Sequence, residues 1–305
     1  MTLPNFLIIG AEKAGTTSLY HYLKEHPEVY MSEEKEPFYF ICKDGFPEIL
    51  GNKIENDNFL KTRITSLKTY EKLFEKATVE KAIGEASASY LYVPEAARNI
   101  KNIIPNAKLI VVLRHPIERA YSNFLHCIGR GIEPLRSFEE AISKEPSRKK
   151  ENWGLVFYYK EKGFYYKYLK TYFNLFDKNQ IKIFLYEDFK NNTSTVLKEI
   201  FNFLDVNDSF SPEILEKHNV SKKDGLKYNT LTGLLKSKNP IKLFMKDLIP
   251  KQIRNKMISV IDKVNSEPVA PMLTETKAAL IQDYKEDILN LQDLIKLDLS
   301  HWLTI

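Results

Sequence analysis

The chain has 305 residues, 43% of them hydrophobic and 28% charged, a balance that excludes a disordered or collagen-like protein. The length accommodates about two domains or one large α/β domain. With 45 Lys and Arg against 40 Asp and Glu the formal charge is +5, a mild excess that favours anionic ligands and does not require nucleic acid.

Residues 1–5 carry no charged leader and run straight into an apolar strand at Phe6–Ile9, so a secretory signal is not expected. A helix follows at Ser18–Glu25, then a polar stretch, 33–63, punctuated by Gly45, Pro47 and Gly51. An excursion of that length is expected to be functional or mobile, and it is placed to fold over a ligand crevice. Next come a helix at Ser66–Lys76, a strand at Lys81–Gly84, a helix at Glu95–Ile104, a strand at Leu109–Leu113 and a helix at Ile117–Ile128. A helix at Tyr158–Phe176, a strand at Ile181–Leu185 and a helix at Ser194–Leu204 complete the alternation. Strands nearly continuous in apolar character, separated by helices, predict an α/β fold with a central parallel sheet flanked by helices, a P-loop-like phosphate-binding loop and ligands at the strands' carboxyl ends.

From 229 to 264 eight basic residues, among them Lys236, Lys246 and Arg254, alternate with apolar ones, and Pro240 and Pro250 divide the stretch into short helices. Solvated lysines on the outside of a helical subdomain are the plain reading, and a surface facing a membrane or polyanion is the alternative. A last helix, Glu275–Lys296, sets Leu280, Tyr284, Ile288, Leu291 and Ile295 on one stripe. The chain therefore reads as a single domain, 1–305, with an α/β core at 1–228 and an α-helical C-terminal portion at 229–305. The longest aliphatic runs are about five residues, far short of the roughly 18 to 20 that span a bilayer. Cys42 and Cys127 lack the paired spacing of a zinc site and suggest reduced thiols in the cytoplasm.

Residues 6–19 read Phe-Leu-Ile-Ile-Gly-Ala-Glu-Lys-Ala-Gly-Thr-Thr-Ser-Leu: a strand, two glycines five apart, then a helix opening on three hydroxyl residues. Backbone N–H groups around Gly15–Ser18 would point at an anion at the positive end of the helix dipole. Triphosphatases with the same glycine spacing continue with Lys and Ser or Thr, whereas here Thr16 and Thr17 follow and the lysine sits inside the loop as Lys13. A lysine so placed reaches an oxygen bridging two groups of a bound nucleotide and suits a leaving group; the alternative is an exposed loop lysine.

Lys13-Ala-Gly-Thr-Thr-Ser18, following Phe-Leu-Ile-Ile-Gly, resembles the 5′-phosphosulfate loop of sulfotransferases that use 3′-phosphoadenosine 5′-phosphosulfate (PAPS). The likeness is nearest to the heparan-sulfate N-sulfotransferase type and to bacterial carbohydrate sulfotransferases. The segment Lys108–Ser122 is similar to the same family's 3′-phosphate segment, a strand ending in Arg114 with Ser122 eight residues on. An arginine fork and a helix hydroxyl suit a phosphate; an ion pair of Arg114 with Glu118 and a core serine bonded to its own helix are the alternatives. The resemblance implies that Lys13, Ala14, Gly15, Thr16, Thr17, Ser18, Arg114 and Ser122 bind PAPS and that 3′-phosphoadenosine 5′-phosphate (PAP) is the product; with no Walker-type Asp arrangement and no His/Cys cluster in the sequence, no metal is expected.

Lys35-Glu-Pro-Phe-Tyr-Phe40 resembles the family segment that carries the catalytic carboxylate, which makes Glu36 the candidate base, with Glu33, Glu34 and His126 as rivals. A carboxylate among aromatic residues has its pKa raised toward working pH. Gly84-Glu-Ala-Ser-Ala-Ser-Tyr90 resembles the strand and turn beside the acceptor, so Glu85 and Ser87 are candidate acceptor contacts, although Ala86 stands where the heparan type has lysine. Tyr165 is a candidate border of the adenine, with a place in the core as the alternative. Lys222 and Gly225, in the loop Ser221–Tyr228, match a basic loop over the 3′-phosphate. The expected acceptor is a saccharide or glycolipid, with peripheral membrane contact conceivable and no nucleic acid. The competing functions are a P-loop kinase of nucleosides or sugars, disfavoured by Thr16-Thr17, and a non-catalytic nucleotide-binding protein.

Overall fold

The computed structural model describes residues 2–51, 63–213 and 269–304. Strand β1 (Phe6–Gly10) is buried along its whole length and leads into helix α1 (Thr16–Glu25). Strand β2 (Val29–Met31) and a single buried helical turn α2 (Tyr39–Cys42) follow. Helix α3 (Leu67–Lys72) is capped by the Ser66 side chain accepting from the Thr69 N–H at 3.2 Å. Then come β3 (Ala82–Ala86), α4 (Pro94–Ile103), β4 (Lys108–Leu113) and α5 (Pro116–Gly129), both helices opening on proline, which is preset for a first helical turn. Short helices α6 (Phe138–Ser143) and α7 (Glu145–Lys150) precede α8 (Tyr165–Leu175), β5 (Ile181–Leu185), α9 (Tyr186–Asn191) and α10 (Thr193–Phe203). Helix α11 (Thr274–Ile295) closes the described fold.

All strand pairs are parallel, in the order β2-β3-β1-β4-β5. The chain leaves β1 toward one side of the sheet for β2 and β3 and then crosses to the other side for β4 and β5, so the strand order reverses at β1. A crevice opens above such a switch point, at the strands' carboxyl ends. The sequence predicts four of these strands; β2 escapes because three residues at a sheet edge are too short to show a period.

The helix predicted at Tyr158–Phe176 is instead two pieces, a 3-10 turn at Glu161–Gly163 and then α8. Two contacts break it. The Glu145 carboxylate accepts from the N–H groups of Lys160 and Glu161 at 2.7 and 2.8 Å, and Gly163 lies so close under Tyr284 that a Cβ there would come within 2.6 Å of that ring. The excursion at 33–63 contributes α2 and a 3-10 turn at Glu48–Leu50.

Helix α11 buries Leu280, Ile281, Tyr284, Ile288 and Leu291 in the same apolar core as the sheet, each worth roughly 1.5–3 kcal/mol when fully buried. Tyr284 donates to the Lys160 carbonyl at 2.8 Å. Beyond α11, Trp302 is wholly buried, with its ring 6.0 Å from His115 and 6.1 Å from Tyr165. The basic stretch 229–264 and the loop carrying Lys222 and Gly225 lie outside the described residues.

Candidate functional site

A cavity of about 510 Å³ takes lining residues from beyond the carboxyl end of every strand: Glu12, Lys13 and Gly15 to Thr17 after β1, Lys35, Glu36 and Phe38 after β2, Ala88 and Ser89 after β3, Arg114 after β4 and Tyr186 after β5. Helix α5 adds Ser122, Asn123 and His126, and its C-cap adds Arg130.

Gly15 is the N-cap of α1, at φ +83° and with no side chain capping the helix. The first N–H groups of α1 therefore have neither a helical partner nor a side-chain cap, the arrangement that binds anions. Glycine is required here twice over, because the conformation is left-handed and a Cβ would come within 3.2 Å of Tyr186 and Phe189. Lys13 is also left-handed, at φ +67°, and its carbonyl accepts from Arg114 Nη1 at 3.2 Å. Arg114 thus ties the phosphate loop to the end of β4. Its guanidinium lies 4.9 Å from the centre of the Tyr186 ring and a loose 3.7 Å from Glu118.

Glu36 and Phe38 are left-handed as well, at φ +61° and +59°. Such strain persists where the surroundings over-determine it, and it gathers at functional sites. The Glu36 N–H donates to the Ala86 carbonyl at 3.0 Å, and Arg63 donates to the Glu36 carbonyl while lying 3.6 Å over the Phe38 ring. The Glu36 carboxylate accepts from Lys35 Nζ at 2.7 Å and from the Ala88 N–H at 3.2 Å. Burial nonetheless wins over Lys35 and pushes Glu36 above the ordinary carboxylate range.

Glu12 behaves oppositely. Burial pushes it up too, but Lys162 at 2.5 Å and the Ser89 hydroxyl at 2.6 Å outweigh burial and leave it below the usual range. Desolvation lowers Lys13, with Glu12 opposing. Desolvation, then the charge of Lys13, pushes His126 down to about 4, so its ring is neutral near pH 7.

Of the residues singled out from sequence, Lys13, Gly15, Thr16, Thr17, Glu36, Arg114, Ser122 and His126 line this one cavity. Ala14 is buried behind the loop, and Ser18 lies on α1 outside the lining. Three expectations are corrected. Tyr165 does not border the cavity: it is wholly buried and its hydroxyl donates to the Arg114 carbonyl at 2.9 Å, so an aromatic on an amphipathic helix has gone to the core. Glu85 and Ser87 are sealed behind the wall, where Glu85 accepts from the Tyr70 hydroxyl at 3.3 Å and Ser87 from the Phe38 N–H at 3.3 Å. Sequence reasoning passes over Glu12, Lys162 and Arg130. Arg130 was within reach of a spacing argument, being two steps of four beyond Ser122 on one helical face.

A parallel α/β sheet whose switch point carries a glycine-hinged, lysine-bearing loop, an uncapped helix N-terminus and a strand-end arginine has the architecture of a phosphate-loop fold. The chain belongs to the sulfotransferase family, whose model matches residues 4–211. It is 26% identical over 302 residues to the membrane-associated sulfotransferase kil1 of Dictyostelium discoideum, covering 72% of this chain and 60% of that protein. It is 29% identical over 252 residues to human carbohydrate sulfotransferase 15, covering 67% of this chain and 44% of that protein. The chain thus spans 60% or less of these curated relatives. Over the full length of both chains it superposes on a crystal structure of a sulfotransferase from Alicyclobacillus acidocaldarius, with a TM-score of 0.76 and 28% identity. Among the described residues, no helix is long and apolar enough to cross a membrane.

Proposed function

We propose that this chain transfers a sulfonate group from PAPS to a hydroxyl or amine of a saccharide or glycolipid, releasing PAP. The observation that carries the reading is the meeting, in one cavity, of the Lys13 loop with the uncapped start of α1, the Arg114–Ser122 pair, and a carboxylate pushed toward working pH. The uncapped N–H groups and Lys13 suit the 5′-phosphosulfate, and Arg114 and Ser122 suit the 3′-phosphate that distinguishes this donor from ATP. The donor supplies an already activated sulfonate, so the chain's own work is positioning and charge stabilisation.

Glu36 takes the proton from the acceptor as its oxygen or nitrogen bonds to sulfur. Lys13 meets the charge that develops on the phosphate oxygen as the sulfur–oxygen bond breaks. Glu12, held low by Lys162, is the weaker base of the two carboxylates, and environments that separate such a pair assign its roles. A saccharide acceptor is supported by the relative named carbohydrate sulfotransferase 15. Cys42 and Cys127, both buried free thiols, support the reducing cytoplasm as the compartment.

Thermal unfolding with PAP, beside ATP with magnesium and adenosine monophosphate, tests the donor site. At about 100 times Kd a native-state ligand adds about 2.7 kcal/mol, so PAP alone is expected to raise the midpoint, and labelled PAPS then identifies the acceptor. Stabilisation by ATP with magnesium and not by PAP would favour a kinase, and none by any nucleotide would refute the reading.

A further inference from the structure

The turn 36–38 carries the Glu36 carboxylate of the cavity, and neither Glu36 nor Phe38, at φ +61° and +59°, is glycine. Conformations of that kind persist only where the surroundings over-determine them. From one side the end of β3 supplies the hold. The Glu36 N–H donates to the Ala86 carbonyl at 3.0 Å, the Phe38 N–H to the Ser87 hydroxyl at 3.3 Å, and the Ala88 N–H to Glu36 Oε2 at 3.2 Å.

From the other side the hold comes from Arg63 and Ile64, at the end of the 33–63 excursion. Arg63 donates through Nη1 to the Glu36 carbonyl, its guanidinium lies 3.6 Å from the centre of the Phe38 ring, and the Ile64 N–H donates to the Pro37 carbonyl at 3.2 Å. Every residue of the turn is thus gripped from this side as well. Arg63 is buried and is not among the residues lining the cavity. A planar fork suits the place, since a guanidinium stacks on a ring with its face while an edge N–H reaches a carbonyl.

We infer that Arg63 is a positioning residue of the transfer site: it clamps the turn 36–38 from behind, so that Glu36 meets the cavity at a fixed place. This rests on the assignment of Glu36 as the base. The titratable groups around Arg63 are Glu36, Cys42, Tyr90 and Glu34. Burial pushes the Cys42 thiol up to about 11 and the Tyr90 phenol well above its ordinary value, so both are neutral near pH 7. Glu36 is acted on by Lys35, Glu12 and Arg63. Lys35, at 2.7 Å, holds the carboxylate, whereas Arg63 holds the backbone that carries it.

Hydrogen exchange read by mass spectrometry tests the clamp without acceptor or turnover, with PAP as the only ligand. In Arg63→Met the amides of 36–38 are expected to exchange about tenfold faster or more, as a locally opened segment does. Peptides of β1 and β4, and the protection that PAP gives the start of α1, should match the wild type. Arg63→Lys keeps the charge and a donor but not the planar fork, so a smaller increase is expected. Transfer from labelled PAPS should follow the same order. A kcat lower by about 10²-fold is expected in Arg63→Met, the scale of a misplacement of about 1 Å, with part of it recovered in Arg63→Lys and the Kd for PAP unchanged in both. Ser66→Ala, which removes the cap of α3, lowers stability without touching the turn and should leave kcat alone. Wild-type exchange at 36–38 in a folded Arg63→Met would overturn the proposal. So would faster exchange spread evenly over β1 and β4, which would make Arg63 a general packing residue. If Arg63→Met does not fold, wild-type exchange in Arg63→Lys overturns it instead. Full activity of Glu36→Gln would refute the base assignment separately.

Discussion

Glu36 and Glu12 line the same cavity, and their surroundings push them in opposite directions, Glu36 up by burial and Glu12 down through Lys162 and Ser89. A base must be ionised to work, so turnover should rise with pH through a Glu36 value above that of an ordinary carboxylate. Lys13 must be charged, and desolvation lowers it, so turnover should fall again at a pH below that of an ordinary lysine. A kcat/KM profile with both limbs drawn inward is expected. Glu36→Gln should abolish transfer while PAP still stabilises the protein; retained activity would move the proton to another group. His126, pushed down to about 4, would then show itself by an acid limb near that value. Lys13→Ala should keep PAP binding and lower turnover about 10² to 10³-fold, the scale of one preorganised donor. Arg114→Ala acts on affinity instead, with an expected loss of about 2 to 4 kcal/mol in PAP binding if the guanidinium meets a desolvated phosphate. Titration calorimetry with PAP and with adenosine monophosphate checks it, because the loss should appear only with PAP.

At the scale of elements, β1 and β4 were legible because central parallel strands covered on both faces are nearly continuous in apolar residues, β5 because its run is apolar but for Lys182, and α1 and α5 because a glycine hinge and a proline start announce them. What stayed hidden was what tertiary contact decides. Nothing local marks Tyr165 as core rather than adenine wall, since the difference lies in the distant Trp302 and in the Arg114 carbonyl. Glu85 likewise follows a strand glycine as an acceptor contact would, yet it is wholly buried and bonded by Tyr70, itself packed against Tyr39 and Phe40. The break before α8 is a further case, and it is testable. Gly163→Ala would drive a methyl group to within 2.6 Å of Tyr284, and overpacking of a filled core costs about 1–3 kcal/mol. A lowered thermal midpoint is expected, with lower turnover as the neighbouring Lys162 shifts. An unchanged midpoint would mean that α11 yields easily.

For the molecule as a whole, α11 and Trp302 share one core with the sheet, so the α/β sheet region and the C-terminal helix should unfold together, and a buried acid anywhere in that core should leave its mark on global stability. Glu85 is such an acid. It is wholly buried, one oxygen accepts from Tyr70, and burial raises it from 4.5 to about 8. The folded chain then binds a proton that the unfolded chain releases between those values. Stability from this group is full below about 4.5 and is lost as pH rises through about 8. Glu85→Gln keeps the shape and removes the titration. Its thermal midpoint should fall less than that of the wild type between pH 5 and pH 9, in one cooperative transition followed by both far-ultraviolet circular dichroism and tryptophan fluorescence. Parallel curves for the two proteins would show that Glu85 stays ionised in the fold, and two separate transitions would divide the C-terminal helix from the sheet it packs against.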